Sequence, residues 1–229
     1  MSDQPIPAEA PHPWESIATY QRRILGVLIE KQKTSKSADA YPMTLNSITT
    51  GANQKSNRDP VYELDEVDIE ETLNQLQRRG LVMRMTGGRV DRFRHLLYEA
   101  WKVSKVEMAI LAELLLRGPQ TEGDLRIRAS RMEEIKDLDE LRALLKGLTQ
   151  RFFVVYVTPA DRRGTIVTHG FHAADELERE KTRHAGGAAE AETTPRPGSA
   201  LETRLNEAFD EIAKLKDRVA KLEAQTPNG

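Results

Sequence analysis

Two stretches of this 229-residue chain repeat one pattern at a constant offset of 72 positions, and this repetition limits the possible folds more than any other feature. Asp65 to Arg79 (DEVDIEETLNQLQRR) is echoed by Asp137 to Arg151 (DLDELRALLKGLTQR). Asp65 falls on Asp137, Ile69 on Leu141, Leu73 on Leu145 and Leu76 on Leu148, steps of four and three that put the apolar residues on one helical face. Each copy opens on an Asp with a second acid three positions later, Asp68 or Glu140, the signature of a capped helix start. Upstream, the stripe Ile24, Leu25, Leu28 and Ile29 returns as Ile110, Leu111, Leu114 and Leu115. A short helix is expected between the two in each copy, capped by Thr44 (TLNSITTGAN) and by Thr121 with Asp124 (TEGDLRIRAS). Downstream come β-rich runs, 81–86 and 152–158, then turns at 87–89 and 159–164, then strand-like runs at 91–99 and 165–172.

Three helices followed by a β-hairpin is the element order of a winged helix, a helix-turn-helix variant. The expected fold is therefore α+β and mainly helical. It has an irregular tail over 1–15, a first winged-helix domain over 16–100 and a second over 101–174. A charged exit and linker follow over 175–200, and a short coiled coil over 201–225. The linker reading rests on the stretch 186–199, GGAAEAETTPRPGS, which has no apolar periodicity. The coil rests on Leu201, Leu205, Ala208, Ile212, Leu215, Val219 and Leu222, whose alternating steps of four and three make a seven-residue repeat. With Leu205, Ile212 and Val219 at a and Leu201, Leu215 and Leu222 at d, a parallel homodimer is the expected assembly. Glu211 would then face Lys216, and Arg218 would face Glu223, across the seam. The same stripe would also suit a helix folded back on its own domain.

Composition excludes several classes. There is no cysteine, hence no disulfide framework, thiolate zinc site or cysteine nucleophile. The longest apolar run, 108–116, contains Glu113 and is too short to span a membrane. The acidic, Pro-rich opening residues lack the apolar segment of a secretory signal, so a cytoplasmic protein is expected. Enzyme readings find no footing. His169 and His172 would point to opposite faces of a strand, unsuited to a shared metal. The acids from Glu63 to Glu71 lack calcium-loop spacing, and Gly87 with Gly88 suits a hairpin turn better than a phosphate cradle. Tyr41, Trp14 and Trp101 read as packing aromatics. No catalytic residue, cofactor or metal is expected.

The motifs LIEKQ (28–32), YPMTLN (41–46), NQKSNRDPV (53–61) and LLLRGPQTEGDLRIRASRM (114–132) together resemble the YceH-like family of uncharacterised bacterial proteins. The resemblance covers about residues 20–172. It implies a tandem winged-helix fold and carries no activity. The tail and the heptad segment lie outside it.

Winged helices usually bind DNA with the third helix, but here those helices open with Asp65, Glu66, Asp68, Glu70 and Glu71, and with Asp137, Asp139 and Glu140. Such acids suit the helix dipole and repel phosphates, so insertion of the third helix is disfavoured. Residues 20–101 carry 13 basic and 11 acidic side chains, too even a balance to steer DNA by bulk field. Any contact must come from local clusters. Asn53, Gln54, Lys55, Asn57 and Arg58 form one. Arg84, Arg89, Arg92 and Arg94 line the first hairpin, Arg126, Arg128 and Arg131 follow the second short helix, and Arg162 with Arg163 tips the second hairpin. The favoured expectation is a non-enzymatic regulator that contacts duplex DNA through these hairpins and the 53–58 loop. The competing expectation is an adaptor that docks an unidentified protein and binds no DNA. For the loop itself, Asn53, Asn57 and Arg58 could equally serve only to stabilise a long turn, pairing with Glu66 or Glu70.

Overall fold

The structure is a computed structural model that describes residues 14–160 and 164–190. It is an α+β protein whose two small sheets are both antiparallel. The first repeat runs α1 (Thr19–Thr34), a single 3-10 turn at Ala38–Ala40, β1 (Met43–Thr44), α2 (Leu45–Ala52), α3 (Glu66–Arg78), β2 (Val82–Met85), β3 (Arg92–His95) and α4 (Leu97–Trp101). The second runs α5 (Lys105–Arg117), β4 (Gln120–Thr121), α6 (Glu122–Ala129), α7 (Leu138–Gln150), β5 (Val154–Tyr156), β6 (Ile166–His169) and α8 (Ala174–Glu190). The sheets have matching orders, β1-β3-β2 and β4-β6-β5. The helix pair identified by the repeat, α3 and α7, keeps the offset of 72 at both ends. The heptad seam 201–222, the tail 1–13, Arg162 and Arg163 lie outside the described residues.

The caps form as the side-chain chemistry dictates. Asp65 accepts the Asp68 N–H, and Asp68 returns the bond to the Asp65 N–H. Ser104 and Glu107 make the same reciprocal pair at the start of α5. Asp137 accepts the Glu140 N–H, but Glu140 instead takes the Lys136 N–H, so this cap is one-sided. Thr44 and Thr121 cap α2 and α6.

Three expectations need correction. The run 91–99 is not one strand: β3 ends at His95, and Leu97–Trp101 is helical because a short apolar run satisfies either period. The run 165–172 ends as a strand at His169, where the chain turns through Gly170. Of the stretch 186–199 expected as linker, 186–190 is instead the end of α8, which continues to Glu190, and 191–199 lies outside the described residues.

Both repeats lie within one compact unit that extends to Thr182, and their apolar residues form one core. Its centre is the contact of α1 with α5. Every residue from Gln21 to Ile29 is buried, and so is every residue from Met108 to Leu116. A surface helix buries a stripe; these two are enclosed on all sides. Gly26 is what allows the approach: a Cβ there would sit 2.7 Å from Leu116 Cγ. Most polar residues caught in the interior find partners, although among the described residues Arg23 Nε and Thr149 Oγ1 have none. Gln21 bonds Gln75 and accepts from Arg79, Arg22 donates to Glu176, and Arg23 donates to the carbonyls of Ala52 and Pro60 while lying 4.6 Å over the Tyr62 ring. Burial pulls the Arg23 guanidinium down to about 10. A second cluster stacks Trp14 on Phe153 at 4.5 Å and Trp101 on Phe171 at 4.8 Å, which agrees with the packing role read from the sequence.

Helix propensity alone would make Gly26→Ala stabilising. Because Leu116 is fully buried and has nowhere to retreat, we expect the opposite, a loss of about 1–3 kcal/mol in urea unfolding. A variant as stable as the parent would contradict the close helix contact.

Candidate nucleic-acid interface

The amide-rich loop after α2 is built from the inside. Asn53 spans it, its Oδ1 accepting the Leu64 N–H at 2.8 Å and its Nδ2 donating to the Leu64 carbonyl at 2.7 Å. Arg58 is buried. Its Nε donates to the Gly51 carbonyl, and its two Nη atoms grip Glu30 of α1 at 3.1 and 2.5 Å. Gln54 accepts from Arg58 at 3.2 Å and donates to Ser56. A contact of Arg58 with DNA is therefore corrected to a structural role, and its partner is Glu30 rather than Glu66 or Glu70. Glu66 instead meets Asn46, and Glu70 meets Arg84. Asn53 is likewise committed to the loop.

Asn57 joins the repeats. It adopts a left-handed backbone (φ 61°), and its Oδ1 accepts from Arg131 Nη1 at 3.2 Å and from Arg117 Nη2 at 2.5 Å. Two cations from the second repeat thus converge on one amide oxygen of the first. Arg117 also pairs with buried Glu113 at 2.8 Å. Burial pushes the Glu113 carboxyl up, against the pull of Arg117, Arg131 and Arg128, and pulls the Arg117 guanidinium down. Arg117 and Glu113 were not singled out in the sequence, where an Arg ending a helix reads as a dipole partner. The available signal was an acid inside a buried apolar run, four positions before that Arg.

The other candidates divide. Arg126 donates to the carbonyls of Ile135 and Lys136 and closes the turn into α7. Arg128 donates to Gln120 Oε1 at 2.8 Å, and Arg131 Nε to the Arg128 carbonyl. Lys55 is exposed, with no hydrogen bond or ion pair among the described residues. In the first hairpin, Arg84 is neutralised between Asp91 and Glu70, while Arg92 donates to the carbonyls of Asp39 and Pro42. Arg89 is exposed at the turn. The loop cluster and the α6 cluster therefore meet, whereas no bond among the described residues ties the hairpin to them. On the acidic third helices, Glu66, Val67 and Glu71 of α3, and Leu138 and Asp139 of α7, face solvent.

The histidines also depart from expectation. His169 and His172 do not diverge: the turn at Gly170 stacks their rings 3.9 Å apart. His172 Nδ1 lies 3.1 Å from Arg22 Nη1 and its Nε2 lies 3.0 Å from Thr168 Oγ1. The same Nδ1 also lies 3.2 Å from Glu176 Oε1, so the ring faces an acid and a guanidinium together. His95 and His169 hold equivalent places at the ends of β3 and β6. Each accepts at Nδ1 the N–H of the residue two positions on, Leu97 or Phe171, at 3.3 Å. Among the described residues no group of three metal-ligating side chains converges, and no helix is long and apolar enough to cross a membrane.

Comparison with known proteins agrees with the early resemblance. Residues 17–164 match the family described as "Protein of unknown function, DUF480". The chain belongs to that family. A UPF0502 protein of Rhodopirellula baltica is 39% identical over 201 residues, covering 86% of this chain and 84% of its own. One from Hahella chejuensis is 35% identical over 217 residues, covering 91% and 97%. One from Pectobacterium carotovorum is 36% identical over 216, covering 89% and 96%. This is the family that includes YceH. The names of these relatives carry no activity, enzymatic or otherwise.

Burial lowers the pKa of His95, His169 and His172. His95 falls to about 4, with Lys33 and Arg94 adding to the effect, and His169 and His172 are lowered too. Their folded values lie below the unfolded one, so the stability they confer is complete above about pH 6.5 and fades as the pH falls toward the folded values. For His95 alone the loss approaches about 3 kcal/mol by pH 4. We expect urea unfolding to show a steep decline from pH 6.5 to 4, and a shallower one in His95→Asn. An equal slope in both proteins would remove His95 from this account.

Proposed function

We propose that this chain is a non-enzymatic regulatory protein that binds duplex DNA. In this reading its two repeats act as tandem winged helices, and the heptad segment 201–222 pairs two chains. The observation that carries the reading is the meeting at Asn57. Lys55 of the first repeat and Arg128 and Arg131 of the second then belong to one cationic patch. Among the described residues Arg131 bonds through Nε and Nη1 alone, which leaves three of its five N–H donors for a ligand. None of these three cations forms an ion pair among the described residues, although Glu113 lies near enough to act on Arg128 and Arg131, so charge remains for phosphate contacts. The acidic starts of α3 and α7 direct contact away from the usual third-helix insertion. Arg89 on the first hairpin, and Arg162 with Arg163 on the second, would extend the same footprint. A dimer would double these contacts and raise their effective concentration.

Anisotropy titration of a labelled duplex of about 30 base pairs tests the patch. Affinity should fall steeply with salt, and Lys55→Ala with Arg131→Ala should lower the slope of log K against log salt by about 2. Absence of binding at about 50 mM salt would sink the proposal. The dimer is tested separately: a chain ending at Gly198 should sediment at half the mass of the full chain and keep its cooperative melt. Equal chain counts per particle would remove the coil.

A further inference from the structure

The first sheet has an outer face of which the DNA reading uses only Arg89. Met83 lies opposite Arg94, and Met85 lies opposite Arg92. Directly opposed residues share a face, so two methionines and two arginines form one surface, while Val82, Phe93 and His95 point into the core. Met83 and Met85 are 40% and 43% exposed, and Val90 in the adjoining turn is 54% exposed. β2 is also an outer strand of its sheet, with no strand on its far side. Where the hairpin turns, Met85, Thr86, Gly88, Arg89, Val90 and Arg92 line a concavity of about 240 Å³.

Of the four residues that share this face, the two charged ones, Arg92 and Arg94, are both cations. The nearby acids Asp91 and Glu70 are both spent on Arg84, which sits on the inner side over Phe93. Arg92 is held only by neutral carbonyls and keeps its charge available. Arg89 and Arg94 have no ion-pair partner among the described residues.

We propose that this face docks an acidic peptide segment carrying a large apolar side chain. The apolar side chain enters the concavity against Met85 and Val90, and flanking carboxylates meet Arg89, Arg92 and Arg94. Charge complementarity selects an acidic occupant, and the apolar centre selects a peptide over a nucleic acid. A phosphate backbone would satisfy the arginines but gain nothing from burying two methionines and a valine. Methionine's unbranched, polarizable side chain suits a docking surface that adapts to its guest. The proposal is independent of the Asn57 patch, which lies on other residues.

The test uses the full chain and a fluorescein-labelled peptide of about ten residues, alternating Glu and Leu around a central Phe. One control peptide replaces the apolar residues with Ser and a second replaces Glu with Lys. Saturable binding of the first peptide, lost in both controls, is expected. Met85→Glu and Arg89→Ala should each weaken it about tenfold or more with the melting temperature unchanged, since both side chains are already exposed. Lys55→Ala with Arg131→Ala should leave it intact. The proposal is overturned if the peptide binds no better than its serine control, or if Met85→Glu and Arg89→Ala leave binding unchanged. It is equally overturned if Arg89→Ala weakens duplex binding while Met85→Ser alters neither ligand, because the hairpin would then belong to nucleic acid.

Discussion

The mutual enclosure of α1 and α5 is the constraint from which the rest of the structure follows. Nine consecutive residues of each helix are withdrawn from water, an arrangement that neither repeat provides by itself. Each helix supplies one wall of the other's surroundings, and Gly26 removes the side chain that would hold Leu116 away. Once these helices are joined, α2, α3 and the first sheet pack on α1, and α6 and the second sheet pack on α5. The core is accordingly continuous across the repeat boundary.

Continuous burial forces polar residues to find partners at a distance, and those partnerships shape the surface. Arg23 sits deep in the first repeat because two carbonyls and the Tyr62 ring receive it. Arg58 anchors the 53–64 loop by turning inward to Glu30. That inward anchor leaves Lys55 facing out and presents Asn57 to Arg117 and Arg131. Residues that resemble a single basic cluster in the sequence thus perform opposite tasks: some brace the loop and others remain free to meet a ligand.

Legibility in the sequence followed the range of the forces involved. The ends of α3 and α7 were readable because capping and apolar spacing act within a few residues. The two-residue strands β1 and β4 were not, since each exists only through its pairing with a later strand. Residues 97–99 passed for strand because so short an apolar-rich run satisfies either period. Arg58 could not be separated from Lys55 by inspection, because its partner lies 28 positions back in α1. The stacking of His169 on His172 depended on one turn at Gly170. Of the candidate interface, the cationic residues were visible, and the meeting of loop and α6 was not.

The α1–α5 contact also fixes how the two halves depend on each other. Either repeat cut from its neighbour would leave the apolar flank of its first helix in water. The halves therefore stand or fall together, as one cooperative body rather than two beads on a string.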